Sequence, residues 1–202
     1  NKECMEVIRR TSPESAVVLL FDNLCWFRDV FKSDKIAPYP VYDAVKKANS
    51  PVLISAELFG RNYFAGTIIN PRICLVNNDV NGEDISASEL EWEIVHDGKT
   101  LSSGTQNLDA VNHYERLWVT SEIKLPNTLP SLKAKCKLLL SVRSDNRVVA
   151  TNEYDVLIAD KNWADGSLIG KDKVISVFDL TGETCKVLDN LGVSYRRMKD
   201  LT

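Results

Sequence analysis

The histidines and cysteines are the residues of this sequence that could bind a metal or form disulfides, and their spacing indicates neither. His96 and His113 are isolated, with no cysteine or carboxylate at the spacing of a ligand set. The cysteines are odd in number, widely spaced and never arranged as CxxC: Cys4, Cys25, Cys74, Cys136 and Cys185. Such thiols are most often buried and free. We therefore predict no metal site, no disulfide framework and no cofactor.

The carboxylates that could serve as a catalytic acid and base fall on exposed strand faces and turns, as Glu91, Glu93 and Glu122 do. Asn152-Glu153 superficially resembles a catalytic pair, but it lies in a strand of two-residue period, so we expect Glu153 to be exposed. No Ser/His/Asp set converges. The Phe178–Gly182 turn holds a single glycine, which makes it a poor nucleotide site. We predict no catalytic residue in this chain.

Composition excludes two classes of partner. With 202 residues, 44% of them hydrophobic, the chain can bury one core, or one core and a small appendage. The 25 basic and 28 acidic residues are interspersed, with no basic stripe between aromatics, so we predict no nucleic-acid partner. The longest apolar run, Ala16–Phe21, is far shorter than the ~20 residues of a membrane span, so we predict no membrane partner.

The sequence begins Asn1-Lys2-Glu3 without a signal peptide, and we expect a piece of a longer protein.

Residues 1–49 have the order helix, buried strand, loop, helix. Lys2–Arg10 is predicted to be a helix that Ser12-Pro13 ends. The apolar run that includes Val17–Phe21 is typical of a strand buried on both faces of a parallel sheet. Pro40–Asn49 is the second predicted helix, with proline in its first turn and apolar residues three and four apart. We interpret this region as a remnant of the last elements of a βα-barrel.

Residues 50–160 have the two-residue period of half-buried strands. Leu90, Trp92 and Ile94 alternate with glutamates, so Trp92 is predicted to be the core tryptophan. Asp97-Gly98 predicts a type I′ hairpin, and Leu117–Leu125 reads as one further strand. About seven such strands without a helix between them predict an antiparallel β-sandwich of immunoglobulin type.

Residues 161–202 follow a third pattern. Val174–Asp179 is predicted to be a strand, Gly182–Leu191 a helix and Val193–Met198 a strand. This βαβ unit is too small to stand alone, so we expect it to pack on the sandwich or to begin a truncated domain. The predicted fold class is mainly β: an immunoglobulin-like sandwich with an N-terminal helix-strand-helix remnant and a small C-terminal βαβ unit.

Three places in residues 14–160 resemble, in their order, the barrel-to-sandwich junction of glycoside hydrolase family two, the β-galactosidase, β-glucuronidase and β-mannosidase group. VVLLFDNLCW (Val17–Trp26) resembles the last barrel strand and its loop. PYPVYDAVKKANSPV (Pro38–Val52) resembles the last barrel helix and its exit. Val76–Asp79, Leu90–Ile94 and Asn152–Asp155 resemble the sandwich that follows.

The resemblance implies a parent enzyme that cleaves glycosidic bonds in oligo- or polysaccharides with retention, through two glutamates on earlier barrel strands. No Asn-Glu motif in a barrel-strand context occurs here, so neither glutamate is carried over. We expect a non-catalytic accessory fragment that braces the catalytic barrel of the same parent chain. Carbohydrate substrate would then be a partner only through that parent. The sequence does not determine the compartment, and a periplasmic or secreted parent is compatible with it.

Two tryptophans are the candidate substrate-binding residues. Trp26 follows the apolar strand by a short loop, where barrel active sites lie, and its ring could stack on a sugar. The alternative is that Trp26 seals the barrel end or packs on the sandwich. Trp118 falls on the outward phase of its strand and could be a carbohydrate platform or a domain contact.

The rival hypothesis is a free-standing immunoglobulin-like carbohydrate-binding or adhesion module. The parallel-type strand within residues 14–49 favours the accessory fragment, because such a module has no reason to carry one. A third hypothesis is a small complete enzyme that uses an acidic residue of the βαβ unit.

Without the rest of their barrel, residues 1–49 would expose unpaired backbone, so we expect this segment to self-associate or to fold back on the sandwich.

Overall fold

Two helices precede the sandwich, as predicted. The structure, a computed structural model, describes residues 2–12, 26–32, 34–164 and 175–200. Helix α1 spans Lys2–Thr11 and helix α2 spans Pro40–Ala48. The predicted strand Val17–Phe21 lies outside the described residues. Before α2, strands β1 (Phe27–Arg28) and β2 (Ala37–Pro38) form a short antiparallel hairpin that the sequence analysis did not predict.

The two helices pack against each other. Proline at the first position of α2 pre-sets the backbone, and Lys46 and Lys47 in its last turn interact favourably with the helix dipole. Met5 of α1 and Val45 and Ala48 of α2 form a small buried cluster between them. In the described ranges, no helix has the length and apolar character needed to span a membrane.

The sandwich has a five-stranded and a three-stranded sheet. The larger sheet has the order β4-β12-β11-β7-β8 and the smaller one the order β3-β6-β9, while β5 and β10 form a separate pair. All pairings in these sheets are antiparallel except that of β4 with β12. The strands are β3 (Val52–Glu57), β4 (Asn62–Phe64), β5 (Ile68–Ile69), β6 (Arg72–Asn77), β7 (Ser88–His96), β8 (Lys99–Leu108), β9 (Arg116–Thr120), β10 (Ile123–Lys124), β11 (Lys133–Ser144) and β12 (Arg147–Ala159). The predicted fold class is therefore confirmed.

The predicted alternation places one face of each long strand in the core. Leu138 and Leu140 of β11 face inward beside Leu90 and Ile94 of β7, and all are fully buried. Trp92 lies in the same core and pairs across the ladder with Gly104 of β8. A Cβ atom at Gly104 would lie 2.5 Å from Cζ2 of the indole, so only glycine leaves room for the ring.

Two tight turns close long hairpins with backbone in the left-handed region. Asp97 and Gly98 have φ of 45° and 76°, which confirms the predicted turn between β7 and β8. Asp145 and Asn146 have φ of 49° and 63° between β11 and β12. Aspartate and asparagine tolerate this region better than other residues with a side chain, because their short polar groups bond locally.

The prediction of one strand over Leu117–Leu125 was wrong. The backbone amide of Ser121 donates to the carbonyl of Pro71, and the chain there leaves β9 and enters β10, which pairs with β5 instead. The alternation of apolar residues continues through the break, because Ile123 and Leu125 still face the core. The two-residue period therefore predicted correctly which residues are buried, but it did not predict where the strand ends.

The C-terminal unit is confirmed as βαβ. Strand β13 (Ile175–Phe178), helix α3 (Glu183–Asn190) and strand β14 (Tyr195–Met198) follow one another, and the two strands pair in parallel. Val177, Cys185 and Val193 are its buried apolar residues. This is a far smaller core than that of the sandwich.

Trp92→Ala should lower the free energy of unfolding by about 3–5 kcal/mol, because a buried ring is lost and a cavity remains. Trp118→Ala should cost much less, since Trp118 is only partly buried on the outer face of the smaller sheet. Denaturant unfolding of both variants measures the difference. Equal losses would contradict the assignment of Trp92 to the core and of Trp118 to the outer face.

Candidate functional site

Trp26, the first predicted substrate-binding residue, lies partly buried against the cluster that joins α1 and α2. Its carbonyl accepts a hydrogen bond of 2.7 Å from the backbone amide of Tyr39. The ring thus takes part in helix packing, and its proposed contact with a sugar stays a prediction.

Trp118, the second candidate, lies on the outer face of the three-stranded sheet. It packs on Leu53, Cys74 and Val76, and the guanidinium carbon of Arg72 is 4.3 Å from the centre of a ring. One face of the indole is therefore covered by a cation. The structure places Trp26 and Trp118 in separate clusters, and a carbohydrate role for Trp118 also stays a prediction.

The strand carboxylates are held by neighbours on the outer face of the five-stranded sheet. Glu153 is exposed, as predicted, and accepts a 2.8 Å bond from Nζ of Lys137, which lowers the pKa of Glu153. Glu91 pairs with Arg143 at 3.0 Å. Surface pairs of this kind contribute little to stability, at most about 1 kcal/mol each. These two pairs lie on an open sheet face and not in a cleft, so they do not form a catalytic acid and base.

Apart from Cys25, which lies outside the described residues, the histidines and cysteines show no ligand geometry. Ring nitrogens of His96 and His113 bond to the carbonyls of Lys135 and Asp79 at 2.8 and 2.9 Å, so each of those nitrogens donates. In the part of the chain that the structure describes, no cluster of three or more histidine, cysteine or acidic residues could hold a metal ion. Cys74, Cys136 and Cys185 are buried and free, but Cys4 is exposed on α1, so the expectation of burial was wrong for Cys4.

The most structured polar site is one that the sequence analysis missed: the carboxylate of Glu6. This side chain is fully buried between α1 and the sandwich. Oε2 accepts bonds from the hydroxyls of Tyr154 at 2.8 Å and Ser55 at 3.1 Å, and Oε1 accepts from Nδ2 of Asn152 at 2.8 Å. The ammonium of Lys2, one turn earlier, is 3.2 Å from Oε1. A buried carboxylate needs such partners, because an unpaired one is strongly disfavoured.

The same side chains close an open side of the sandwich, where β12 faces the edge of β3. Nδ2 of Asn152 donates to the carbonyl of Ile54 at 2.7 Å, and the backbone amide of Ala56 donates to the hydroxyl of Tyr154 at 2.9 Å. Edge-strand groups are thereby satisfied without a further strand. Burial, and then the nearby Glu6 carboxylate, raise the pKa of Tyr154, so the hydroxyl keeps the proton that it donates.

Arg9 ties the two helices to the first strand of the sandwich. Nη1 donates to the carbonyls of Ala48 and Ser50 at 2.7 and 2.6 Å, and Nη2 to that of Pro51 at 3.1 Å. The carbonyl of Arg9 accepts a 2.7 Å bond from Nε of Arg116. These bonds satisfy carbonyls at the ends of both helices, where the helix itself offers no donor. Burial, and then the charge of Arg116, lower the pKa of Arg9.

This arrangement, the Glu6–Arg9 junction, is suited to holding elements together and not to a reaction. The Glu6 carboxylate has four donors and no solvent contact, so a substrate cannot reach it. An open groove of about 690 Å³ lies elsewhere, at the β7–β8 turn and the end of β12. Among the residues that the structure describes, its lining includes Arg61, Lys135 and Leu157 and no aromatic side chain, so these residues offer no ring on which a sugar could stack.

Asp179 occupies the N-terminus of α3 in the βαβ unit. Oδ2 accepts from the amide of Cys185 at 2.8 Å, and Oδ1 accepts from that of Gly182 at 2.9 Å. These bonds, the one from Cys185 first, lower the pKa of Asp179 to about 2. The amides that could cradle a phosphate are thus bonded to the chain's own carboxylate.

Comparison with known proteins gives likenesses in structure alone. No protein-family model matches the chain, and no curated protein matches it in sequence. Spo0M, a sporulation control protein of Bacillus subtilis, aligns with 56% of this chain over 51% of its own length, at 11% identity and a TM-score of 0.39. A β-glucuronidase from glycoside hydrolase family 2 aligns with 54% of this chain over 11% of its own length, at 17% identity and a TM-score of 0.35. The CARDB domain of a Pyrococcus furiosus protein, in complex with di-metal ions, aligns with 53% of this chain over 89% of its length, at 14% identity and a TM-score of 0.36.

One signal for the missed site was present in the sequence. Asn152 and Tyr154 share the inward phase of β12 with Val156 and Ile158, and polar side chains at core positions need polar partners. Nothing local points to Glu6 as that partner, since it lies 148 residues from Tyr154 in the chain.

Glu6→Gln should lower the free energy of unfolding by about 1–3 kcal/mol, because an amide NH₂ replaces one acceptor oxygen and leaves buried donors unpaired. The amides of α1 should also exchange with solvent faster. Glu3→Gln is the matched control: Glu3 is on the same helix, 66% exposed and paired with Arg61 at 2.7 Å. Denaturant unfolding and hydrogen exchange test both variants, and equal behaviour would refute a structural role for Glu6.

Helix α3 should lose stability as the pH falls from about 4 to about 2. The folded pKa of Asp179, about 2, is below the ordinary 3.8, so its contribution is complete above the ordinary value and is lost as the pH falls through the folded one. The amide resonance of Cys185 followed by NMR reports this transition. Asp179→Asn should abolish it, whereas Glu183→Gln in the same turn should leave it unchanged. A transition that persists in Asp179→Asn would assign it to another group.

Proposed function

We propose that this chain is a non-catalytic accessory part of a glycoside hydrolase related to family two, and that its immunoglobulin-like sandwich braces the catalytic barrel of the same parent chain. The barrel would carry the two catalytic glutamates and bind the oligo- or polysaccharide. Residues 1–49 are, on this proposal, the last elements of the barrel, and residues 50–160 are the brace.

The observation that carries the proposal is the Glu6–Arg9 junction. Three residues separate α2 from β3, and Arg9 binds the carbonyls of two of them as well as the end of α2. Helix α1 is fixed to the sandwich through a carboxylate with three side-chain donors there. A brace requires such a rigid connection, because a flexible linker would transmit no positional constraint from the sandwich to its neighbour.

The second candidate is a free-standing carbohydrate-binding or adhesion module. The observation that favours it is the completeness of the sandwich core, which the strands from β3 to β12 form by themselves. On this alternative, Trp118 or Trp26 would be the contact to a sugar.

The chain should hydrolyse no nitrophenyl galactoside, glucuronide, mannoside or arabinoside, because neither of the two catalytic glutamates that the family resemblance implies has a counterpart in this sequence. On the accessory proposal it should also migrate unretarded in gels that contain soluble polysaccharides. Retardation that Trp118→Ala or Trp26→Ala abolishes would favour the free-standing module. Turnover that survives repurification and disappears with one Asp or Glu substitution would make the chain an enzyme.

A further inference from the structure

Three arginine side chains reach the outer face of the three-stranded sheet. Arg72 of β6 and Arg116 of β9 point to this face together with Cys74 and Trp118, which pair across the ladder. Arg10 reaches the same face from the last turn of α1, where Nη1 donates to the hydroxyl of Ser55 at 2.8 Å. We call the group of Arg10, Arg72 and Arg116 the arginine face.

The charge of the arginine face is not balanced within the described part of the chain. Glu57 is the one carboxylate that pairs with it there, at 3.8 Å from Nε of Arg10 and 3.4 Å from Nη1 of Arg72. Arg116 has no ion pair among the described residues, and within that part of the chain its side chain donates a hydrogen bond through Nε alone. Burial first, and then the positive charge of Arg116, lower the pKa of the neighbouring Arg9.

One member of the arginine face has an unused donor. The side chain of Arg10 is only 9% exposed, and its Nε has no hydrogen-bond partner among the described residues. A buried N–H without an acceptor is unfavourable, but this one has almost no contact with solvent, so it adds to the cost of the fold and not to the binding surface.

Arg72 is held in position for an incoming anion. Its guanidinium lies 4.3 Å from the Trp118 ring, while its side chain is 57% exposed. Stacking on an aromatic ring orients the planar group and reduces the entropy lost when it binds a carboxylate with two parallel bonds.

We propose that the arginine face is a docking surface for an acidic segment of another polypeptide. Arg72 and Arg116 lie four residues apart along the antiparallel ladder, because Arg116 pairs with Val76. That is roughly 13 Å, so two guanidinium groups can each meet a separate carboxylate of an extended peptide. A polysaccharide is disfavoured because the Trp118 ring that could stack on a sugar is covered by Arg72. This inference is independent of the proposed function.

A fluorescein-labelled hexaglutamate peptide is the probe, and fluorescence anisotropy at several salt concentrations measures its binding to the full chain. Arg72→Gln should weaken binding by roughly tenfold, the usual effect of one lost charge-assisted contact. Arg143→Gln is the matched control, since Arg143 is 48% exposed and pairs with Glu91 on the opposite sheet. It should bind the probe as the unmodified chain does.

Glu57→Gln tests whether removing a negative charge from the arginine face strengthens the binding of hexaglutamate. Removing the carboxylate that competes for Arg10 and Arg72 should tighten binding severalfold, which a loss of folding cannot imitate. Thermal melting of each variant identifies any that are unfolded. Absence of hexaglutamate binding, equal weakening by Arg143→Gln, or weaker binding by folded Glu57→Gln would each overturn the proposal. Tighter binding of an oligouronate than of hexaglutamate would replace the acidic peptide by an acidic saccharide.

Discussion

The buried carboxylate of Glu6 accepts hydrogen bonds from three side chains of the sandwich, and the placement of both N-terminal helices depends on it. Asn152 and Tyr154 each make one bond to this carboxylate and one to the edge of β3. The docking of α1 and the closure of the sandwich edge are therefore one network. Because a buried network is stable only when every member is satisfied, neither half can be removed without leaving the other unpaired.

The opposite open side of the sandwich is closed by weaker means. The hydroxyl of Ser102 on β8 donates to the carbonyl of Lys124, and the hydroxyl of Ser121 donates to the side chain of Gln106. These groups are neutral, and Ser102 and Gln106 lie near solvent. The two sides thus differ in strength, with the charged and buried network on the side where the helices lie. The bonds of Glu6 and Arg9 on that side couple α1 and α2 to the sandwich.

The sequence predicted the elements well and the site poorly, for one physical reason. Strands such as β7 and β11 can be predicted from their local sequence, since alternation of Leu90, Trp92 and Ile94 with glutamates follows from one buried face. The break at Ser121 was missed because burial continues through it. Glu6 was missed because its partners are far away in the chain, and a glutamate on an amphipathic helix looks like any solvated one. Tertiary hydrogen bonds leave a local trace only where a polar residue occupies a core position, as Asn152 and Tyr154 do.

The distance along the chain between Glu6 and its partners has a consequence for synthesis. Tyr154 is 148 residues after Glu6, so α1 leaves the ribosome long before the strand that completes its binding site. At typical rates of translation the interval is about 7 to 30 s, far longer than a helix needs to form or melt. During that time the carboxylate must remain hydrated, although Met5 of α1 can already pack on Val45 and Ala48 of α2. Helix α1 is therefore among the last elements to reach its final place, and a chaperone that shields amphipathic helices would act on it during this interval.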